Sequence, residues 1–343
     1  MISLMQKEIH EQIHLLDQCF AKNQSRLVEI GKKVRERNIQ FVIYAARGSS
    51  DNAGIYFKYL CEVHAGLPVS FSAPSVITLY KGKPKFQNTL VIGVSQSGKA
   101  QDVYSVLEHA KSQGAITVSI TNHEDSPLAL LADYHLYLAM GLEESVAATK
   151  TFTAQLFLLG HLANQIAPHD ELERELATVK DSLIQTLTVE EEIKQYANEF
   201  KDVETCFVLG RGYAYGIADE LALKLQETAY IKAMAFATSD FHHGPLALAS
   251  ENQRFIVLAP EDSSLENSFE IVQKIQEVGA IPLIFSSSID FPTPAVIQIP
   301  HAAASVMVFP LIVASQLFSL YVSLAKGLNP DKPRGLKKVT ITH

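Results

Sequence analysis

Residues 90–98 have the sequence L-V-I-G-V-S-Q-S-G, in which five apolar positions give way abruptly to polar ones. A short apolar run that ends in turn-forming residues is typical of a buried β-strand. A helical pattern follows as far as residue 113, and a second apolar run occupies 116–120. Two strands that are joined through a helix pair in parallel, because the crossover needs about a dozen residues or more. The stretch therefore predicts an α/β fold with a parallel sheet.

The chain on either side of this stretch continues the pattern. Upstream, residues 41–45 form an apolar run that leads into R-G-S-S at 47–50 and then a helical pattern to about residue 64. Apolar residues at helical spacing across 3–38 predict one or two N-terminal amphipathic helices. Downstream, residues 149–201 have helical patterns without a clear strand, and we expect a linker near 167–170.

The strand and helix pattern starts again after residue 205. Strand–Arg-Gly–helix occurs at Arg47-Gly48 and a second time at Arg211-Gly212, which favours a duplicated domain. The later elements are predicted as strands at 206–209, 255–259 and 281–285, a helix that ends at 231, and a helix at 264–278. We expect N-terminal helices at 1–38, a first domain at 39–168, a second domain at 169–330 and a C-terminal tail at 331–343.

Composition narrows the class of protein. The chain has 343 residues, of which 47% are hydrophobic, and a formal net charge of -8, which argues against nucleic-acid binding. Its three cysteines, with no C-x-x-C, favour neither disulfides nor a cysteine zinc site and fit a cytoplasmic location. The N-terminus does not resemble a signal peptide. Residues 302–325 are the most apolar segment, and their serines and Pro310 favour a buried helix over a membrane span.

Two serine clusters are candidate binding residues. Ser95, Gln96 and Ser97 follow one predicted strand, and Ser49 and Ser50 follow another. The carboxyl ends of parallel strands share one edge of the sheet, where helix N-termini present free N–H groups to an anion. The alternative is that these serines only cap the helices. Both clusters together favour a phosphate site, and the chain has no G-x-x-x-x-G-K-[ST] motif for a nucleotide.

Two further groups could move protons. Lys224 and Glu227 lie one turn apart on a predicted helix and share a face with Glu220. They could form an ordinary exposed ion pair, or a carboxylate base held beside a lysine. His243 lies in a Gly-Pro turn directly after His242, and it could act as an acid or base or have no role. Adjacent histidines point in different directions, so we predict no metal site.

These segments together resemble the tandem sugar-isomerase (SIS) domain proteins, the family of the isomerase half of glucosamine-6-phosphate synthase. Within that family, they most resemble the SIS-type glucosamine-6-phosphate deaminases. The resemblance implies two α/β SIS domains, each a mainly parallel sheet between helices in a flavodoxin-like three-layer sandwich. The matching segments are A-R-G-S-S-D at 46–51, S-A-P-S-V at 72–76, V-S-Q-S-G-K at 94–99, D-S-P-L-A at 125–129, E-S-V-A-A-T-K at 144–150, L-G-R-G at 209–212, A-L-K-L-Q-E at 222–227, H-G-P-L-A at 243–247 and L-K-K-V-T at 336–340.

The resemblance also implies a role for each candidate residue. Both halves of the chain and a dimer partner would build one site for a phosphorylated amino sugar, without a metal or another cofactor. Glu227 would move a proton between C1 and C2, with Lys224 one turn before it. His243 would open the sugar ring, reaching in from the other subunit, and Lys338 in the tail would close over the site and engage the open-chain carbonyl. The phosphate cradle would be Ser49, Ser50, Ser95, Gln96 and Ser97, and the sugar would be lined by Val146 and the loop to Thr149.

The chain departs from the synthase pattern in two places. Lys99 and Ala100 stand where the synthase has an acidic residue and a threonine, and Lys99 resembles the deaminase branch. The sequence also begins at Met1-Ile2, without a glutaminase domain. We therefore expect conversion of glucosamine-6-phosphate to fructose-6-phosphate and ammonia. The alternatives are a fructosamine-phosphate deglycase, another amino-sugar-phosphate deaminase or isomerase, and a non-enzymatic sugar-phosphate sensor.

Overall fold

The computed structural model describes residues 2–293 and 295–338, and it contains two compact units. Each unit contains a five-stranded sheet in which every paired strand is parallel. The N-half unit comprises His14–Glu143, Lys150–Leu176 and Lys337–His343. The C-half unit comprises Met1–Ile13, Glu144–Thr149 and Ala177–Leu336.

The N-half unit has the strand order β2-β1-β3-β4-β5. Residues 90–94, which the sequence predicts as a buried strand, form β3 and are buried at every position. The strands are β1 (Val42–Ala45), β2 (Val69–Phe71), β3 (Leu90–Val94), β4 (Ile116–Thr121) and β5 (Tyr134–Tyr137). The helices are α1 (Leu4–Glu36, whose residues up to Ile13 belong to the C-half unit), α2 (Ser49–Leu60, continued by a π-helical turn at Cys61–Ala65), α3 (Ser75–Thr78), α4 (Gln101–Ser112), α5 (Pro127–Leu131), α6 (Lys150–Ile166) and α7 (Asp170–Ala177).

The C-half unit has the strand order β10-β9-β8-β6-β7. Its strands are β6 (Thr205–Gly210), β7 (Lys232–Ala237), β8 (Arg254–Leu258), β9 (Ile281–Ser286) and β10 (Val296–Gln298). Its helices are α8 (Val179–Leu187), α9 (Glu190–Asn198), α10 (Tyr215–Ala229), α11 (Thr238–Phe241), α12 (Leu265–Glu277) and α13 (Val308–Ala325), with 3₁₀ turns at Gly212–Ala214 and Pro245–Leu248.

The two sheets have the same topology. In each, the first strand of the unit lies between the second and the third, and the fourth and fifth strands follow outward. This is the doubly wound order 2-1-3-4-5 of flavodoxin-like folds. The predicted α/β class with two parallel sheets is therefore confirmed, and the Arg-Gly recurrence marks the start of the same unit twice.

Four strands that the sequence analysis did not predict are the edges of the two sheets. They are β2, β5, β7 and β10. Edge strands keep one side open to solvent, so they need no continuous apolar run. Lys232 begins β7 and Gln298 ends β10, for example. A hydrophobic pattern could therefore identify only the strands in the middle of each sheet.

The apolar segment predicted as a buried helix forms α13 in the core of the C-half unit. It packs against α10, α9 and α8. Among the described residues it is the one helix long and apolar enough to cross a membrane, and 89% of that window is buried inside the protein. Helices that are apolar all round belong in the core of a large protein or in a membrane, and burial within the protein fits the first case.

The turn between β3 and α4 depends on Gly98. Its φ is +65°, and a Cβ at this position would lie 2.1 Å from the Ser126 Oγ. Ser126 caps α5 by accepting the Ala129 N–H, so it has little freedom to move away. Residue 98 must therefore be glycine for two independent reasons, its backbone angle and the close approach of α5.

We predict that Gly98→Ala lowers the free energy of unfolding by about 3 kcal/mol, because strain and a steric clash add. The control is Gly66→Ala. Gly66 has a similar φ of +61° but nothing within 4 Å of the added methyl group. Gly66→Ala should therefore lower the free energy of unfolding by only about 1 kcal/mol, from backbone strain alone. Urea unfolding of both variants measures the difference, and equal losses would contradict the close packing at Gly98.

Candidate active site

Two serine-containing loops meet at the carboxyl edge of the N-half sheet. β1 and β3 are neighbours, with Ala45 opposite Gly93, so the loops that follow them are adjacent. The chain leaves β1 for β2 on one side and returns at β3 on the other. Such a reversal of direction opens a crevice at the strand ends, where ligands bind in doubly wound sheets. The five predicted cradle residues Ser49, Ser50, Ser95, Gln96 and Ser97 all lie in these two loops or in the helix turn that follows.

The serines do not cap the helices that follow them. The N-cap positions of α2 and α4 are Gly48 and Ala100, and no described side chain caps either helix. The alternative interpretation of the two clusters as N-caps is therefore wrong. Both helices point their N-terminal amide groups toward the crevice side of the sheet, which is the arrangement that favours an anion.

The five cradle residues are not equally accessible. Ser49, Gln96 and Ser97 are half-buried, whereas Ser95 is buried. The Ser97 Oγ accepts the Lys99 N–H at 3.3 Å, which fixes the local turn. Ser50 is buried, and its Oγ accepts a hydrogen bond from Gln155 Nε2 at 3.0 Å. The Ser50 side chain thus connects the loop to α6.

An ion pair that the sequence analysis did not single out joins the two loops. The Arg47 Nε lies 2.7 Å from the Asp102 Oδ2, and Asp102 is buried while the Arg47 side chain is half exposed. The pair connects the loop after β1 to the first turn of α4. Burial raises the pKa of nearby Asp51, and Arg47 acts in the opposite direction. Arg47 lies two residues before Ser49 in the chain, and its charge is balanced by Asp102.

The corresponding edge of the C-half sheet is built differently. In the loop after β8, the Asp262 Oδ1 accepts the Ser264 N–H at 2.7 Å and the Ser264 hydroxyl at 2.6 Å. A carboxylate of the protein itself thus occupies the donors that precede α12. Among the described residues of the loop after β8, the Ser264 hydroxyl is therefore already used as a donor within the protein, unlike those of the serines after β3.

Lys224 and its carboxylate neighbours form a buried cluster on α10. The Lys224 Nζ lies 3.4 Å from the Glu220 Oε1 and donates a short hydrogen bond to the Glu227 Oε2. The side chains of Lys224 and Glu220 are each only 1% exposed, whereas that of Glu227 is 22% exposed. The interpretation of Lys224 and Glu227 as an exposed pair is therefore wrong.

This cluster fixes the charge of Lys224. Burial alone lowers the pKa of a lysine, but Glu220 and Glu227 outweigh that effect and raise the pKa of Lys224. The ammonium therefore stays charged near neutral pH and holds Glu227 in one orientation. Glu227 is the member of the cluster that reaches solvent, so it is the one that a ligand can contact.

His243 belongs to the same unit as Glu227, but the structure does not pair the two. It follows α11 and precedes Gly244, whose φ is +138°, and its side chain is exposed. Among residues 2–293 and 295–338 no hydrogen bond to its ring is formed. The preceding His242 has a pKa lowered first by partial burial and then by Lys274. A base role for His243 therefore stays a prediction.

Lys338 has a buried partner that the sequence analysis did not identify. Its Nζ lies 2.6 Å from the Oε2 of Glu143, a side chain with no exposed surface. The same carboxylate accepts the N–H and the hydroxyl of Thr151, at 3.1 and 2.8 Å. Glu143 directly precedes the motif at 144–150, and this position was the only feature of the sequence that could have pointed to it as a site residue. The predicted tail beyond Lys338, at 339–343, lies outside the described residues.

Val146 and Thr149 lie in the segment 144–149 of the C-half unit. Val146 is half-buried and could contact a ligand, whereas Thr149 is fully buried. The Thr149 carbonyl accepts a hydrogen bond from Gln316 in α13. Thr149 thus anchors the end of the loop, and Val146 is the more accessible of the two.

Comparison with known proteins explains the duplicated sheet. Residues 34–165 and 199–320 each match the family described as SIS domain, and together they cover most of the chain. The chain belongs to the SIS-domain family. Both matched segments contain one of the two five-stranded sheets, so the repeat detected in the sequence is a repeat of this domain.

The chain is similar to three known proteins. It is 34% identical over 98% of its length to glutamine–fructose-6-phosphate aminotransferase [isomerizing] of Aquifex aeolicus, but it spans only 57% of that protein. The C-terminal domain of glucosamine-fructose-6-phosphate aminotransferase from Francisella tularensis has a TM-score of 0.86 and 27% identity, with 97% of this chain and 99% of that chain covered. Glucosamine-6-phosphate deaminase from Thermotoga maritima has a TM-score of 0.79 at 22% identity, with 99% and 100% covered, which is a likeness of fold.

We predict that Lys224→Met lowers the free energy of unfolding by about 3–5 kcal/mol, because it leaves two carboxylates without their buried cation. The double variant Glu220→Gln with Lys224→Met should recover part of that loss. Because the pKa of Lys224 is raised, the wild-type contribution is complete below about pH 10 and declines only as the pH rises further. Urea unfolding at neutral pH checks both variants, and a loss below about 1 kcal/mol for the single variant would contradict a buried ion cluster.

Proposed function

We propose that this chain is a phosphosugar-processing enzyme that converts glucosamine-6-phosphate and water to fructose-6-phosphate and ammonia. The observation that carries the proposal is the cluster on α10. A partly exposed carboxylate, Glu227, is held by a lysine that stays protonated. This arrangement suits proton transfer between adjacent carbons. Membership of the SIS-domain family and the similarity to the isomerizing aminotransferase support a phosphosugar as the substrate.

The phosphate of the substrate would bind at the crevice of the N-half sheet. Ser49, Ser95 and Ser97 supply hydroxyl groups, and the N-termini of α2 and α4 supply backbone amides. Arg47 adds a positive charge that Asp102 holds in place. Hydrogen bonds from such amides and hydroxyls to a charged phosphate are stronger than neutral ones, so they would contribute to holding the substrate by its phosphate.

Glu227 would carry the proton in the chemical step. After ring opening, which we assign to His243, its carboxylate removes the proton from C2 of the open-chain aldehyde. The same proton is returned to C1. The carbonyl oxygen at C1 takes up a second proton and becomes a hydroxyl, and the amino nitrogen gives up one proton as C2 forms a double bond to it. Water then adds to C2 and ammonia leaves, which gives the ketone of fructose-6-phosphate. Lys224 keeps the carboxylate oriented throughout.

A related isomerisation without loss of nitrogen is the second candidate. The 34% identity to the isomerizing aminotransferase favours it. Such an isomerisation would share with the proposed deamination every step up to the intermediate that has a double bond between C2 and nitrogen. Lys99, which is exposed directly after the cradle, is the residue that favours deamination through its resemblance to the deaminase branch. We further propose that the enzyme is a cytoplasmic homodimer, in which the exposed His243 is available to the site of the other subunit.

The test is ammonia release by purified protein from glucosamine-6-phosphate, galactosamine-6-phosphate and a fructosamine 6-phosphate. Ammonia together with fructose-6-phosphate from the first sugar is the expected result. Turnover of another sugar instead would change the substrate and keep the chemistry. Isomerisation without ammonia would favour the second candidate, and tight binding with no turnover of any sugar would indicate a sensor.

We predict that Glu227→Gln reduces turnover by roughly 10²–10⁴-fold and leaves binding of the substrate nearly unchanged, because the amide keeps the shape of the side chain but cannot take a proton. Steady-state kinetics and equilibrium binding measure the two effects. Glu277→Gln, an exposed position on α12, makes the same chemical change away from the cluster and serves as the control. Full turnover by the Glu227 variant would remove this residue from the mechanism.

A further inference from the structure

The first turns of α1 lie against the segment 144–149 in the C-half unit. Glu8 provides the main contact, although its side chain is only 3% exposed and glutamate is rarely buried. Its Oε1 accepts the N–H of Glu144 in a short hydrogen bond and the N–H of Ser145 at 3.3 Å. Its Oε2 accepts the Ser145 hydroxyl at 2.5 Å. Both oxygens of one carboxylate are thus used on two consecutive residues of the loop.

These contacts suit a carboxylate better than any other side chain. An ionised carboxylate has only acceptors, and here it faces two backbone N–H groups and a hydroxyl. Hydrogen bonds to a charged acceptor are stronger than neutral ones, and they gain further where water is excluded. Removing the carboxylate would leave buried donors unsatisfied, and the start of the loop would have to move to find other partners.

Two further hydrogen bonds hold the loop 144–149, and both connect it to α1. The Val146 N–H donates to the carbonyl of Asp331, whose carboxylate accepts the N–H groups of Leu4 and Met5 at 3.0 and 2.8 Å. At the far end, the Thr149 carbonyl accepts from Gln316 Nε2 at 3.1 Å. The Oε1 of Gln316 in turn accepts from Gln12 Nε2, also at 3.1 Å. Each contact leads directly or through one residue to the first three turns of α1.

We infer that Glu8 is a positioning residue that sets the conformation of the loop 144–149 and, through it, the place of Val146 against the sugar. The inference rests on the proposed function, because the sugar-lining role of Val146 belongs to it. In this role Glu8 needs no contact with the substrate. It acts through the backbone of Glu144 and Ser145, directly before the residue that would line the sugar.

A positioning role differs from a merely stabilising one in what it does to binding. The phosphate cradle belongs to the N-half unit and shares no residue with the loop 144–149. A displaced loop should therefore weaken binding of the whole sugar phosphate and leave binding of inorganic phosphate unchanged. A general loss of stability would reduce the folded fraction and lower the apparent affinity for both ligands equally.

The experiment compares wild type with Glu8→Ala, Glu8→Gln and Lys7→Ala. Fructose-6-phosphate and inorganic phosphate are titrated against each by calorimetry, at a temperature where circular dichroism shows every variant to be folded. Glu8→Ala should bind fructose-6-phosphate about 10-fold more weakly, since small displacements in a site have effects of this order or larger, and inorganic phosphate equally well. Lys7 is exposed on the adjacent position of α1, and its removal should change neither affinity.

Glu8→Gln tests the hydrogen-bond pattern itself. The amide oxygen can accept the two backbone N–H groups, and the amide nitrogen can donate to the Ser145 Oγ. The Ser145 hydroxyl can then donate its hydrogen bond to the Ala147 carbonyl, which already lies 3.0 Å away. This variant should therefore retain most of the affinity for fructose-6-phosphate.

The outcomes separate the two proposals. If wild type binds neither ligand, the proposed function is wrong and the inference falls with it. If wild type binds both but Glu8→Ala binds them as well as wild type does, or loses both in the same proportion, the inference alone is wrong. Selective loss of fructose-6-phosphate by Glu8→Ala, with recovery in Glu8→Gln, establishes the positioning role.

Discussion

Burial of both faces of a parallel sheet is the constraint on which the rest of this structure depends. Helices cover each sheet on two sides, so a central strand such as β3 is apolar along its length, and polar residues inside a strand, such as Thr117 and Ser119 of β4, are fully buried. Polar side chains that a ligand can reach are therefore left at the strand ends. The serine-containing loops after β1 and β3 therefore lie where the fold permits them, at the point where the strand order reverses.

A second constraint comes from charges that the protein buries away from the strand ends. Lys224, Glu220, Glu8 and Glu143 are all almost inaccessible, and each is matched by oppositely charged groups or by hydrogen-bond donors. Such groups are costly to bury, and removal of one partner leaves the other unsatisfied. These buried charged groups make the structure more rigid, because a carboxylate with fixed partners holds a helix or a loop in one position. In the C-half unit this stiffens both α10 and the segment 144–149.

The sequence was most informative where one physical signal dominated. Continuous apolar runs identified the central strands, and the apolar segment that contains α13 was recognised as buried because it holds serines and a proline. Edge strands such as β7 carried no such signal, since half of their surface is open to solvent. Among candidate site residues, Lys224 and Glu227 could be placed on one helix face by spacing alone. Their burial could not be predicted, because it depends on the packing of α10 against α13.

Contacts between residues that are distant in the chain could not be predicted from local sequence patterns. Glu143 meets Lys338, and Glu8 meets Ser145, across more than a hundred residues of sequence. Spacing arguments work over one or two helical turns and say nothing about such pairs. Arg47 belongs to the repeated Arg-Gly pattern, but its ion pair with Asp102 could not be predicted, because the fold brings the two residues together across 55 positions of sequence.

The Asp262 carboxylate after β8 bears on how the two halves of the chain diverged. Both halves have the same strand order, so the loop after β8 corresponds to the serine-containing loop after β3. In the second copy the Asp262 carboxylate already accepts the N–H and the hydroxyl of Ser264, so these donors are occupied by the protein itself. Under the function that we propose, the two copies of the domain would have separate tasks: the first would bind the phosphate, and the second would supply the charged cluster of α10.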